Sequence, residues 1–195
     1  GANLTSAKLT GANLSGATLV NAILTDTVLA GANLDRANLS GANLRGKDLT
    51  GTILTRANLT RANLTGQDLS GKALTGANLT DVKLAGENLS GADLRGANLT
   101  RTDFTKANLS GANLAGAIVN EFGKKTVLTG ANLTKANLTG AKLSYMDLLG
   151  NVNLTGANLT GADMFQANLA GANLTDATVT NATLQNANLT NATLT

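Results

Sequence analysis

The sequence predicts a single continuous solenoid spanning residues 1–195, and three observations predict it. Leucine stands at 4, 9, 14 and every fifth residue onward to 99, with Phe104 and Val119 the only replacements through 119. Departures from the usual unit recur at every fourth unit: Thr27, Lys47, Gln67 and Glu87 share one repeat position, and Arg36 and Arg56 share another. The core must be built almost wholly of leucine and alanine, because 43% of the chain is hydrophobic while aromatic residues make up only 2%.

The repeat itself comes first. The usual unit reads Gly-Ala-Asn-Leu-Thr, as in Gly76-Ala77-Asn78-Leu79-Thr80 and Gly156-Ala157-Asn158-Leu159-Thr160. With leucine called position i, alanine fills i−2, Asn or Asp i−1, Thr or Ser i+1, and Gly or a polar residue i+2. On a helix, five steps of about 100° each spray the leucines around the cylinder. In a flat strand the odd spacing puts successive leucines on opposite faces. What remains is a short extended piece carrying i−2 and i inward, followed by a turn. Glycine at i+2 frees the backbone there, and Asn, Asp, Ser and Thr bond local backbone. Columns that recur at every fourth unit give four such pieces per coil.

The A-(N/D)-L-x-x pattern resembles the pentapeptide repeat family over essentially the whole chain. The resemblance implies an all-β fold, a right-handed quadrilateral parallel β-helix with four pentapeptides per coil and about ten coils. At about 4.8 Å between stacked strands this is a rod on the order of 45 Å long.

The pattern breaks twice. Val119 to Leu128 is nine residues where ten are due, with Lys124 in the leucine slot, which marks an irregular seam at 120–127. Leu148 to Leu154 is six residues where five are due, a one-residue insertion near 149–153 with Asn151 the extra residue. Read by period alone, a deletion and an insertion cancel. The seam reads as a local bulge or a join between two arrays. The alternative is a functional protrusion, in which Glu121, Phe122, Lys124 and Lys125 make a small amphipathic knob.

Three further features qualify as sites. Lys47, Gln67 and Glu87 occupy inward positions, where buried charge is costly unless paired. Either the long side chains escape past the corner to solvent, or they form a polar core ladder with Gln67 bridging Lys47 and Glu87. Phe104, Met146 and Met164 are core filler, whereas Tyr145, Leu149 and Phe165 stand at outward positions. Tyr145 and Phe165 fall on neighbouring coils near one corner, where they would form an exposed apolar spot. Asp48 and Asp68 share a column that reads as a solvated turn pair, or as a cation site. The repeated Asn-Leu-Thr sequons follow from the repeat, and a buried turn role for Asn argues against glycosylation.

Composition removes much chemistry. With no His and no Cys, the commonest general base, the thiol nucleophile and the usual zinc ligands are missing. No catalytic residue, metal or cofactor is expected. No stretch approaches the roughly 20 apolar residues of a membrane span. The chain begins at Gly1 without a Met, which is compatible with a removed leader; the compartment stays open, with the cytoplasm as the default. Fifteen Lys and Arg against 12 Asp and Glu leave a net charge of +3, too small an excess for a nucleic-acid binder. The leading reading is a non-catalytic structural or protein-interaction scaffold of unassigned partner.

Two alternatives stand beside it. Some members of the family mimic duplex DNA and bind DNA gyrase, but mimicry needs a dense acidic surface and this chain carries outward Arg36, Arg56, Arg61 and Arg101. The other is an ordered Thr/Ser face for ice or carbohydrate, with Thr60, Thr80 and Thr100 in one column and Thr50, Ser70, Ser90 and Ser110 in another. Neither terminal segment reads as a cap, so self-association through uncapped ends is a further expectation.

Overall fold

The computed structural model describes residues 1–121, 124–148 and 150–194, with backbone only at 120, 121, 124 and 125. One corner repeats throughout. The i+3 amide donates to the leucine carbonyl, as in Ala37 N to Leu34 O at 3.0 Å, closing a four-residue turn. The third turn residue, i+2, takes a positive φ, as at Gly41 (68°) and Arg61 (58°). That is the demand of a type II turn, and it is why glycine dominates this position.

Where the walls are paired, three bonds tie one coil to the next at each corner. Leu34 N donates to Ile53 O (2.8 Å), Arg36 N to Thr55 O (2.9 Å) and, in the reverse direction, Asn58 N to Ala37 O (2.9 Å). The i−1 residues of every fourth unit therefore meet in parallel bridges, as Asn38 does with Asn58, Asn58 with Asn78, Asn78 with Asn98 and Asn98 with Ile118. Four such columns make four walls. The first contains Leu24 and Leu44, the second Leu29 and Leu49, the third Leu34 and Leu54, and the fourth Leu39 and Leu59. Each extended piece is too short to bridge at more than one residue, so the walls are ladders of isolated bridges, not continuous strands.

Leucines and i−2 alanines fill the axis, with Leu34, Ala37, Leu39 and Ala42 fully buried, and Phe104, Met146 and Met164 buried among them. Asn side chains turn outward. They are exposed or half-buried, which corrects the expectation of a buried role. Many accept from the i+1 amide, as Asn58 Oδ1 does from Thr60 N (3.1 Å), and several bond the next coil, as Asn58 Nδ2 does to Asn38 Oδ1 (3.2 Å).

At Asn120–Glu121 and Lys124–Lys125 the chain leaves the coil pattern. β1 (Asn120–Glu121) pairs antiparallel with β2 (Lys124–Lys125), Asn120 opposite Lys125 and Glu121 opposite Lys124. Across it the coil lengthens. The sequence separation between stacked asparagines is 20 for Asn38 and Asn58 but 24 for Asn108 and Asn132. In the same way Asp103 meets Val127, and Ile118 meets Lys142. Past 148 the separation is 21, as between Asp147 and Asn168, before it returns to 20 between Asn168 and Asn188. The first break is thus four added residues. A period of five cannot tell four extra residues from one missing.

Candidate functional site

The hairpin leaves the solenoid at the corner between the fourth and first walls, and Thr126 holds its base. Thr126 is buried, and its single Oγ1 proton is shared between Leu99 O on the coil below (2.6 Å) and Val119 O across the base. Thr100, in the column directly below Asn120, is only 3% exposed, whereas Thr60 and Thr80 in the same column are half-buried. Its Oγ1 has no partner among the described residues. Below the hairpin the same corner carries Arg61, Asp81 and Arg101 on successive coils, with Asp81 accepting from both guanidiniums. Hydrogen bonds from Arg101 above all hold the Asp81 carboxyl below its ordinary range.

Above the hairpin the corner turns apolar. Tyr145 is 51% exposed, and its ring meets Phe165 edge-on at 5.4 Å between centroids. Phe165 is half-buried, and Tyr145 N donates to Phe165 O (2.8 Å). One corner therefore gathers the hairpin and the aromatic pair, which the sequence treats as separate features. Phe122 and Leu149 lie outside the described residues, as do the side chains of Glu121, Lys124 and Lys125.

The polar column lies elsewhere, on the second wall. Gln67 is 6% exposed and Lys47 and Glu87 are half-buried. They do not bond one another. Gln67 Nε2 donates to Leu44 O (3.1 Å), and Glu87 Oε1 accepts from Gly66 N (2.8 Å). The reach of Gln67 recurs at other donors that replace the i−2 alanine: Thr27 to Leu4 O, Lys72 to Leu49 O and Thr102 to Leu79 O, each 23 residues back. At Leu4, Leu44 and Leu79 the carbonyl already accepts its turn amide and the new donor takes its second lone pair, whereas Leu49 O accepts from Lys72 in addition to the amide and hydroxyl of Thr52.

The coils part beside Lys47, Gln67 and Lys72, which stand in slots that elsewhere hold alanine, whereas Glu87 in the same column leaves Asp68, Asn88 and Asn108 bridged. Bridges are missing between Val28 and Asp48, between Asp48 and Asp68 and between Ile53 and Ala73, and on the first wall between Ile23 and Asn43 and between Asn63 and Lys83, while the fourth wall stays paired from Asn38 to Asn78. Two open clefts result. One of about 620 Å³ is lined by Lys47, Asp48, Gln67, Asp68 and Lys72 among others, and one of about 490 Å³ lies between Ile23 and Arg45. Burial pushes the Lys72 ammonium below its ordinary value, opposed by the charges of Asp48 and Asp68. The Lys72 ammonium bonds Leu49 O and makes no ion pair with either acid. Among the described residues no group of three His, Cys, Asp or Glu gathers as a metal site, and no helix is long and apolar enough to cross a membrane.

Several surface arginines pair with a neighbouring carboxylate. Arg36 and Arg56 flank Asp35, and Arg95 grips Asp93 with two bonds, holding that carboxyl at about 2. The threonine hydroxyls turn sideways. Thr60, Thr80, Thr139 and Thr155 each donate to the Asn two positions earlier, at 2.6–2.7 Å.

The family model for pentapeptide repeats matches residues 1–36, 32–71, 57–96, 88–120, 124–150, 148–181 and 157–195, leaving out only residues 121–123. Among solved structures, the chain is similar to HetL, a pentapeptide repeat protein involved in heterocyst differentiation regulation from the cyanobacterium Nostoc sp. strain PCC 7120. Identity is 33%, coverage is 98% of this chain and 88% of that one, and the TM-score is 0.58. A pentapeptide repeat protein from the Arabidopsis thaliana thylakoid lumen is 39% identical over 52% of this chain and 63% of its own, with a TM-score of 0.29. No curated protein sequence matches.

Proposed function

Because the chain belongs to the pentapeptide repeat family, we propose that it is a non-catalytic protein-interaction scaffold with its coil right-handed, as in members of known structure. The observation that supports this most is the gathering of irregularity at one corner. Most of the surface repeats similar residues coil after coil, while the corner of the fourth and first walls carries the hairpin, the exposed Tyr145 and its partner Phe165. A rigid rod with a raised, partly apolar edge suits docking of another protein. Surface arginines sit beside Asp35, Asp81 and Asp93, which weighs against the gyrase-binding alternative. Inhibition of DNA supercoiling by the purified chain would revive it.

The corner is tested by comparing two baits in extracts of the source organism. One is the native chain; the other lacks residues 121–124 and carries Tyr145→Asn and Phe165→Thr, both suited to the repeat. A partner held by the first and lost by the second, with unchanged circular dichroism, supports the reading. The same partners on both baits remove the corner from it.

A further inference from the structure

We propose that the parted coils between residues 46–54 and 65–73 form a strand-accepting slot, which binds an uncharged extended peptide by pairing with its backbone. The inference concerns a different part of the surface from the corner and does not rest on it.

The unpaired groups carry the argument. One coil higher, the same walls are sewn shut: Leu69 N donates to Asn88 O (2.9 Å), Gly71 N to Ser90 O (2.8 Å), Leu74 N to Asp93 O (2.8 Å) and Asp93 N to Lys72 O (3.0 Å). In the slot none of the corresponding bonds exists. The amides of Gly46, Leu49, Gly51 and Leu54 on the lower lip have no partner among the described residues. Asp68 O, Ser70 O and Ala73 O on the upper lip are equally unpaired, as are the amides of Asp68 and Ala73. Two bare strand edges thus face each other. A bare edge is a template for another strand, and one inserted strand can satisfy both lips.

The slot persists for a structural reason. Lys47, Gln67 and Lys72 stand in alanine slots, and each coil stays anchored on the fourth wall by the Asn38, Asn58 and Asn78 bridges. The first wall also holds between these two coils, through Asn43 and Asn63. The opening is a wedge between fixed points, with about 620 Å³ of open volume. Its lining also selects chemistry. Lys47 and Lys72 balance Asp48 and Asp68, so the slot has no net charge to attract a charged peptide. Its inner side is polar, with Gln67 at the back, so small or hydroxyl side chains suit the inward positions. The lips turn at Gly51 (φ 67°), and the bound peptide needs a glycine there.

Hydrogen exchange reads this directly. In the free chain the amides of Leu49, Gly51, Leu54, Asp68 and Ala73 exchange at least about 100-fold faster than those of Leu69, Gly71 and Leu74. A blocked nine-residue peptide of Ala, Ser and Thr with a central Gly, at millimolar concentration, slows the slot amides by at least about tenfold. The same peptide N-methylated on alternate residues, lacking those donors, does not. The variant Lys47→Ala/Gln67→Ala/Lys72→Thr, whose Thr can repeat the bond Thr102 makes to its leucine carbonyl, closes the slot. Its amides are then slow with or without peptide; should it fail to fold, the N-methylated peptide remains as the control. Slot amides already slow in the native chain, no slowing by the peptide, or equal slowing by its N-methylated form would each overturn the proposal.

Discussion

At each regular corner one residue sits in the left-handed region, with two, Gly150 and Asn151, at the insertion, and side chains there are chosen by what that region tolerates. Gly41 shows the demand most sharply: a Cβ would stand 2.1 Å from Asn21 Oδ1, and φ is 68°. Gly41→Ala is expected to cost about 1–2 kcal/mol in urea unfolding. At Gly11 nothing lies within 4 Å of the added carbon, so Gly11→Ala should lie at the lower end of that range. Thr126 is the second sensitive residue. Thr126→Val keeps the shape but removes the one hydroxyl donor that Leu99 O and Val119 O share at the hairpin base, and about 1–3 kcal/mol should be lost. Asp93 supplies the pH dependence. Its folded pKa of about 2 lies below the ordinary 3.8, so its stabilisation is present above pH 4 and fades as pH falls from about 4 towards 2. Because the pair is partly exposed, the loss is at most about 1 kcal/mol. Arg95→Ala should remove most of it, leaving the part held by the residue-95 amide and Thr75, which thermal unfolding from pH 5 to pH 2 would read.

The hairpin is an inserted element, and its base lies on the repeat. Removing residues 121–124 joins Asn120 to Lys125 and leaves Val119-Asn120-Lys125-Thr126-Val127-Leu128, in which the leucine again follows at the fifth place. The shortened chain is expected to keep its circular dichroism and to unfold within about 1 kcal/mol of the native one, because the walls then run at their ordinary interval. A large loss would mean that the hairpin packs as part of the core. How much of this element was legible differs by residue. The break in period at Val119 located it; the hairpin pairing of Asn120 with Lys125 left no mark in the spacing. The aromatic pair was legible because Tyr145 and Phe165 stand one coil apart along the chain. That they share a corner with the hairpin was not, because the lengthened coil from Asp103 to Val127 had to be known first.

For the molecule as a whole, stability is close to a sum of coil stabilities and the contacts between neighbouring coils. The slot weakens one such contact on two walls, while coils from residue 88 onward to the hairpin are bonded on all four. The chain should therefore come apart unevenly. In rising urea, amides before residue 46 are expected to lose protection at lower denaturant than those between 88 and 119, as native-state exchange would show. Simultaneous loss across both regions would mean that the fourth wall alone couples the coils.

Leucine every fifth residue determined by itself that the chain must coil and bury one side chain per corner, since neither a helix nor a strand can hide that period. The recurrence of Thr27, Lys47, Gln67 and Glu87 at every fourth unit likewise placed them in one column without coordinates. What that column does was decided only in three dimensions. Whether a Lys in an alanine slot escapes, pairs or forces the coils apart depends on free space and on which carbonyls above and below still have a lone pair to offer. Those neighbours lie a full coil away along the chain, and in sequence nothing records the gap between them.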